Sequence, residues 1–180
     1  MKILKTILFI FLGLIALVLL VAAFIDGKTQ YEKSVVINAP VEKVWVHINS
    51  IKAFDTWNPW NDKDPQLIKT HTGTPGQRGE KQCWESKKEE VGKGCITLAE
   101  ANPATHTLIA DMKFLTPYES EARETVTLVP KGGTTKATWQ FSSEIPYPFR
   151  ILKLFMNLEE MVGPDYQKGL NRLKELSEKP

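Results

Sequence analysis

THTLIADMKFLTPYESEARETVTLVPKGGTTKATWQFSS, residues 105–143, decides the fold. Leu108, Ala110, Met112 and Phe114 alternate with Ile109, Asp111 and Lys113. Val126 and Leu128 alternate with Thr125 and Thr127. Ala137, Trp139 and Phe141 alternate with Lys136, Thr138 and Gln140. A period of two places successive side chains on opposite faces of a strand, so each run has one apolar and one polar face. Thr116-Pro117 and Lys131-Gly132-Gly133 interrupt the runs with turn chemistry: proline fixes φ, and glycine reaches positive φ without strain. Connections this short require antiparallel neighbours. The stretch therefore predicts strands at Thr105–Phe114, Ser120–Val129 and Thr134–Ser143 in a sheet covered on one side and wet on the other.

Upstream, the same reading gives strands at Gln66–His71, Glu80–Ser86 and Gly92–Glu100, separated by Gly73-Thr74-Pro75-Gly76, Lys87–Val91 and Asn102-Pro103. Tyr31–Asn38 is a further strand, with Val35-Val36-Ile37 as its β-branched centre. Asn38-Ala39-Pro40 then signals a helix start. Val41, Val44, Trp45 and Ile48 give that helix one apolar face. Ile51–Trp57 predicts a second short helix, ended by Asn58-Pro59. Downstream, Ile151, Leu154, Phe155, Leu158, Met161, Val162, Tyr166, Leu170, Leu173 and Leu176 follow one 3.6-residue stripe. Its phase survives Gly163-Pro164, which predicts one long helix with a kink or brief break there. That helix is what covers the sheet. The result is an α+β fold: a curved antiparallel sheet of about seven strands around a long C-terminal helix, with two short helices after strand 1.

The chain has 180 residues, enough for one ordinary domain. Its net charge of +2 comes from residues 1–28, where Lys2, Lys5 and Lys28 outnumber Asp26; the other 152 residues balance at 20 basic and 20 acidic. A neutral domain gives no electrostatic case for nucleic acid. Ile7–Ile25 is 19 residues without a polar or charged side chain. As a helix it spans roughly 28 Å, close to the ~30 Å hydrocarbon core of a bilayer. Lys2 and Lys5 before it and Asp26 after it orient the N-terminus toward the cytoplasm. The reading is a transmembrane anchor and linker at residues 1–28 and a soluble domain at residues 29–180. That places the chain in the inner (cytoplasmic) membrane as a single-pass protein with its C-terminal domain extracytoplasmic. A cleaved signal peptide is the rival, since Val21-Ala22-Ala23 resembles a small-residue cleavage site; the length of the run and Phe24-Ile25 beyond the cut favour the anchor.

Several local motifs recur in one order. They are Val36-Ile37-Asn38-Ala39-Pro40-Val41-Glu42-Lys43-Val44-Trp45; Phe54 and Trp57-Asn58-Pro59-Trp60; Gly79 leading to Trp84-Glu85; Val91-Gly92-Lys93-Gly94; Gly133-Thr134-Thr135-Lys136-Ala137-Thr138-Trp139; and Gly169-Leu170-Asn171-Arg172-Leu173-Lys174. With them, residues 31–177 resemble the START-like (SRPBCC) superfamily, and within it the small bacterial polyketide cyclase/dehydrase and lipid-transport group. The resemblance implies a helix-grip fold around a hydrophobic cavity. Members range from lipid carriers to ligand sensors to enzymes, so the fold alone does not assign an activity.

Trp84, Met112, Phe114, Trp139, Phe141, Phe155 and Met161 fall on the predicted inner surfaces. They are candidate ligand-binding residues, with a filled core as the alternative for each. Trp57 and Trp60 belong either to the mouth of that cavity or to a structural corner pinned by Pro59. Glu124 shares the inward phase of Ala122, Val126 and Leu128. A carboxyl facing an apolar cavity would have a raised pKa and could orient or protonate a ligand; pairing in solvent with Arg123 or a lysine is the alternative. Glu124 is the one candidate catalytic residue. His47, His71 and His106 lie on different elements without metal-ligand spacing, no serine stands in a Gly-x-Ser-x-Gly elbow, and Gly92-Lys93-Gly94 lacks the ending of a phosphate loop. No metal and no cofactor are expected. Cys83 and Cys95 face each other if their hairpin centres on Glu89. An oxidising compartment would favour a bridge; two reduced thiols on one face are the alternative.

The leading expectation is a non-catalytic binder or carrier of a hydrophobic small molecule or lipid. A cyclase/dehydratase-type enzyme using Glu124 for proton transfer is the second, and an envelope interaction protein the third. Membrane and ligand are the expected partners; no protein partner is specified.

Overall fold

A computed structural model describes residues 2–179. Helix α1 spans Lys2–Phe24. Strand β1 (Lys28–Ile37) leads into α2 (Val41–Trp45), α3 (Ile51–Asp55) and a 3₁₀ turn at Pro59–Asp62. Six strands follow: β2 (Ile68–Thr72), β3 (Lys81–Glu85), β4 (Lys93–Asn102), β5 (Thr107–Thr116), β6 (Ser120–Lys131) and β7 (Thr134–Glu144). A second 3₁₀ turn at Phe149–Leu154 precedes α4 (Leu158–Glu178).

The chain divides into two compact units. One holds the residues up to Thr29 together with Glu144–Asn157; the other holds Gln30–Ser143 and the chain from Leu158 onward.

In the larger unit all seven strands form one antiparallel, curved sheet, ordered β1-β7-β6-β5-β4-β3-β2. β2 to β7 are joined to their chain neighbours as hairpins, and β1 closes the far edge against β7. The pairing register of β4 with β5 shifts between Leu98 and Glu100, where the chain carries one extra residue. Such a bulge bends a strand and increases its twist, which helps the sheet curl. Gly132 and Gly133, at φ 55° and 85°, make the β6–β7 turn. Two successive positive φ values match the twist of a tight hairpin, and two glycines adopt them without strain.

The alternation in β5, β6 and β7 sorts as expected. Leu108, Ala110, Ala122, Val126, Leu128, Ala137 and Trp139 are buried. Ile37, Val44, Ile48, Ile51, Phe54, Leu170 and Leu173 complete the core on which most of them converge. Two polar devices pin the short helices over it. The Ser50 hydroxyl accepts from the Ala53 N–H at 3.0 Å and caps α3. The buried Glu80 carboxylate accepts the backbone N–H groups of Ile51, Lys52 and Gly76 at 3.0, 2.9 and 2.8 Å. An anion at a helix start satisfies donors that the helix leaves open.

The C-terminal helix differs from its predicted form. The apolar stripe runs continuously from Ile151, but Ile151 and Leu154 belong to the 3₁₀ turn and Phe155 lies beyond it. Pro164 stands inside α4 without ending it. The true start follows Asn157, with Glu159 and Glu160 in the first turn. Asn followed three residues later by Glu is itself a helix-start pattern, and acidic residues there complement the helix dipole. The strand bounds shift by at most three residues; the largest shift is in β1, which begins at Lys28, inside the stretch Gly27–Gln30 that composition marks as linker.

Cys83 and Cys95 are direct partners in the β3–β4 pairing and are joined by a disulfide.

Candidate functional site

Between α4 and the inner face of the sheet lies a cavity of ≈ 350 Å³, all of whose lining residues belong to the larger unit. Most of its wall is aromatic or aliphatic. The strands contribute Trp84, Ile96, Met112, Phe114, Trp139 and Phe141; α4 contributes Met161, Val162 and Tyr166; Phe54 and Trp60 come from the α3 region. Glu89, Glu90, Thr116, Pro117 and Met161 line it and are exposed, so the β3–β4 and β5–β6 turns and the start of α4 form its rim.

Six of the predicted binding residues on the sheet and helix reach this wall: Trp84, Met112, Phe114, Trp139, Phe141 and Met161. Trp60 joins them. The Trp84 indole N–H donates to the Val91 carbonyl at 3.1 Å, and the ring lies edge-on to Phe114 at 5.8 Å. Two of the candidate binding residues do not line the cavity. Trp57 is fully buried behind the cavity, packing edge-on against Phe54 and Trp139 while its indole N–H donates to the His47 carbonyl at 2.9 Å. It is a core residue, and its polar atom is spent on the α2–α3 connection. Phe155 is 82% exposed and is absent from the cavity wall. The 3₁₀ turn before it breaks the helical phase that the stripe had assumed.

Glu124 faces inward. Its neighbour Arg123 points the other way and pairs with Asp111 on the wet face at 2.8 Å, as strand alternation requires. Glu124 is 3% exposed and lines the cavity. The Trp139 indole N–H donates to Oε2 at 2.6 Å, and the Tyr166 hydroxyl donates to Oε1 at 2.9 Å and Oε2 at 3.0 Å. Burial pushes the Glu124 carboxyl up to about 8 from an ordinary 4.5, while the hydrogen bonds from Tyr166 and Trp139 pull the other way. Desolvation wins because two neutral donors replace only part of a carboxylate's hydration. The same burial, together with the charge that Glu124 can carry, raises the Tyr166 phenol. With its pKa pushed up to about 8, Glu124 at pH 7 is mostly in its neutral acid form, able to donate as well as accept.

Tyr166 was visible in the sequence only as one more apolar position on α4. It stacks on Trp139 at 4.1 Å and meets Tyr31 edge-on at 5.4 Å. The Tyr31 hydroxyl is buried without a hydrogen-bond partner among the described residues. A second polar group lies elsewhere on the wall. The Lys69 ammonium binds both Asp55 carboxylate oxygens at 2.7 and 2.9 Å and the Asn61 amide oxygen at 2.5 Å, and the Gln82 amide donates to Asp55 at 3.1 Å. Lys69, Asn61 and Gln82 all line the cavity. No signal marked this cluster, because its members come from α3, the 3₁₀ turn, β2 and β3.

A long helix gripped by a curved antiparallel sheet, with an apolar cavity between, defines a START-like helix-grip protein. The chain belongs to the polyketide cyclase/dehydrase and lipid transport family, whose profile matches residues 28–178. No curated protein matches it. Among solved structures it is similar to a protein from Nitrosospira multiformis, at 21% identity and a TM-score of 0.59, with 82% of this chain and 94% of that one covered. It is similar to a protein from Thermus thermophilus at 14% identity and TM-score 0.57, covering 83% and 97%. Ara h 8.0201 matches at 11% identity and TM-score 0.54, covering 83% and 99%. These likenesses show the fold. Family and fold together support hydrophobic ligand binding in general.

Proposed function

We propose that the domain binds an apolar small molecule or lipid in the cavity between sheet and α4, without transforming it. The observation that carries this reading is the cavity itself: ≈ 350 Å³ of mostly aromatic and aliphatic wall, with the buried carboxyl of Glu124 in it. Ligand pockets run from about 300 to 1,000 Å³, so this one suits a small ligand or one end of a longer chain. Burying about 200 Å² of ligand surface contributes about 5 kcal/mol, offset by the loss of translational freedom. Protonated Glu124 favours a ligand end that is itself uncharged, a carbonyl or a hydroxyl. At the Glu124 end, a ligand carboxylate would have to leave water to face that acid and its two neutral donors, Trp139 and Tyr166.

The accompanying reading is that α1 anchors the domain in the inner membrane with the domain on the extracytoplasmic side. Ile3–Phe24 is long and apolar enough to cross a bilayer, and almost none of it is buried within the protein. A tether beside a lipid source suits a binder of lipids.

Native mass spectrometry of protein purified in a mild detergent should show an adduct of discrete mass, and neutral Nile red should bind the delipidated protein with a fluorescence increase. Met112→Trp, which fills the wall, should abolish both. Unchanged Nile red binding in a folded Met112→Trp protein would sink the proposal.

A second reading, a cyclase or dehydratase, is favoured by one observation: a carboxyl buried in the cavity wall, which burial pushes up to about 8, suits proton transfer at a carbon acid. A Glu124→Gln protein that keeps full turnover on an identified substrate removes it.

A further inference from the structure

PYPFRILKLFM, residues 146–156, is the stretch between β7 and α4. It lies in the smaller unit, with α1. Six of its apolar or aromatic side chains are exposed: Tyr147 is 49% exposed, Phe149 59%, Leu152 49%, Leu154 62%, Phe155 82% and Met156 39%. Single exposed apolar residues are ordinary on a protein surface; six within eleven residues form a patch that calls for an occupant.

The contacts of this stretch say which one. Its 3₁₀ turn packs against α1. The Tyr147 hydroxyl lies 3.5 Å from the Leu19 carbonyl. Leu19 is five residues before the end of α1 at Phe24, which at 1.5 Å per residue is about 7.5 Å down the helix. Above it, the Lys153 ammonium donates to the Asp26 and Lys28 carbonyls at 2.9 and 2.5 Å, and the Ile145 N–H donates to the Gly27 carbonyl at 2.9 Å. Arg150 turns to the Ile145 carbonyl and Glu144, both at 3.3 Å. The two cations are thus held at the polar end of α1, and the tyrosine reaches into its apolar part. Amphipathic segments that lie in a bilayer interface bury their apolar side about 5–10 Å deep, with Lys and Arg at headgroup level.

We propose that residues 146–156 form a second membrane-contacting element, lying in the bilayer interface beside α1. This rests on the reading of α1 as an anchor. The lipid supplies the cover that the protein does not, and the hydrogen bonds to residues 19–28 set the element's depth. Phe24, at the end of α1, is 85% exposed.

The test uses the full chain reconstituted in vesicles of phosphatidylcholine and phosphatidylglycerol at about 3:1, whose anionic headgroups attract Lys and Arg near the surface. Nitroxide labels are placed singly at Phe155→Cys, Leu154→Cys, Leu12→Cys and Val129→Cys. The native cysteines are bonded to each other and take no label. All four positions are exposed, so the substitutions leave the core intact. Relaxation by oxygen, which concentrates in lipid, is compared with relaxation by a water-soluble nickel chelate. The expected result is an oxygen-to-nickel ratio at 154 and 155 several-fold above that at 129 and approaching that at 12. Labels at 154 and 155 that behave like 129, while 12 is in lipid, overturn the interfacial element and leave the anchor standing; this is also what a protein occupant would give. A label at 12 that behaves like 129 overturns the anchor and the element with it.

Discussion

Glu124 is held by two opposing demands: an apolar wall disfavours its charge, and two neutral donors partly restore it. Its folded pKa is raised to about 8, so between about pH 4.5 and 8 the folded protein keeps a proton that the unfolded chain releases. Stability from this group is therefore complete below the unfolded value, falls as pH rises toward 8, and is flat above. The full effect is of the order of a few kcal/mol. Urea denaturation of wild type should show this decline, and Glu124→Gln, neutral throughout, should lack it and be the more stable protein at pH values above the folded pKa. Parallel pH profiles of the two would contradict the burial argument. The inward direction of Glu124 was readable from strand alternation alone. Its partner was not: Tyr166 is 42 residues away, and no local pattern distinguishes a phenol that donates to an acid from one that merely packs.

At the scale of elements, α4 approaches β7 at Gly169. A Cβ there would stand 2.7 Å from Trp139 Cζ3 and 3.1 Å from Pro59 Cδ. Alanine gains about 1 kcal/mol of helix propensity over glycine, but overpacking costs about 1–3 kcal/mol. The clash is with a ring stacked on Tyr166 and hydrogen-bonded to Glu124, which has little room to give. Gly169→Ala should thus lose up to about 2 kcal/mol in chemical denaturation, the overpacking cost less the propensity gain; a net gain would mean that Trp139 moves freely. The Cys83–Cys95 bridge closes a loop with a sequence separation of 12. Loop-closure entropy puts such a bridge at up to about 3 kcal/mol, and a hairpin already paired on both sides needs less of it. Replacing both cysteines by serine should lower the denaturation midpoint by an amount within that bound, and a reductant should have no effect on the double variant. The strands were legible because alternation is local and turn chemistry marks their ends. The start of α4 was not, because Ile151, Leu154 and Phe155 keep helical spacing through a segment that serves α1 instead.

For the whole molecule, the division into two units follows the chemistry of their surfaces. The larger has a buried apolar core of its own, while in the smaller most of α1 and six side chains of residues 146–156 are exposed. The full chain is expected to stay with membranes after alkaline carbonate washing and to need detergent for release; recovery in the wash supernatant would contradict an uncleaved anchor. The sequence showed the long apolar helix plainly, whereas the uncovered stretch after β7 was hidden in the stripe assigned to the C-terminal helix. The stacked Trp139–Tyr166 pair has a separate use. An indole whose N–H points at a titrating carboxyl changes its emission as that carboxyl ionises. Intrinsic fluorescence should therefore follow the pocket's protonation state without any attached dye, and a guest molecule that displaces or screens the acid would be read out by the protein's own light.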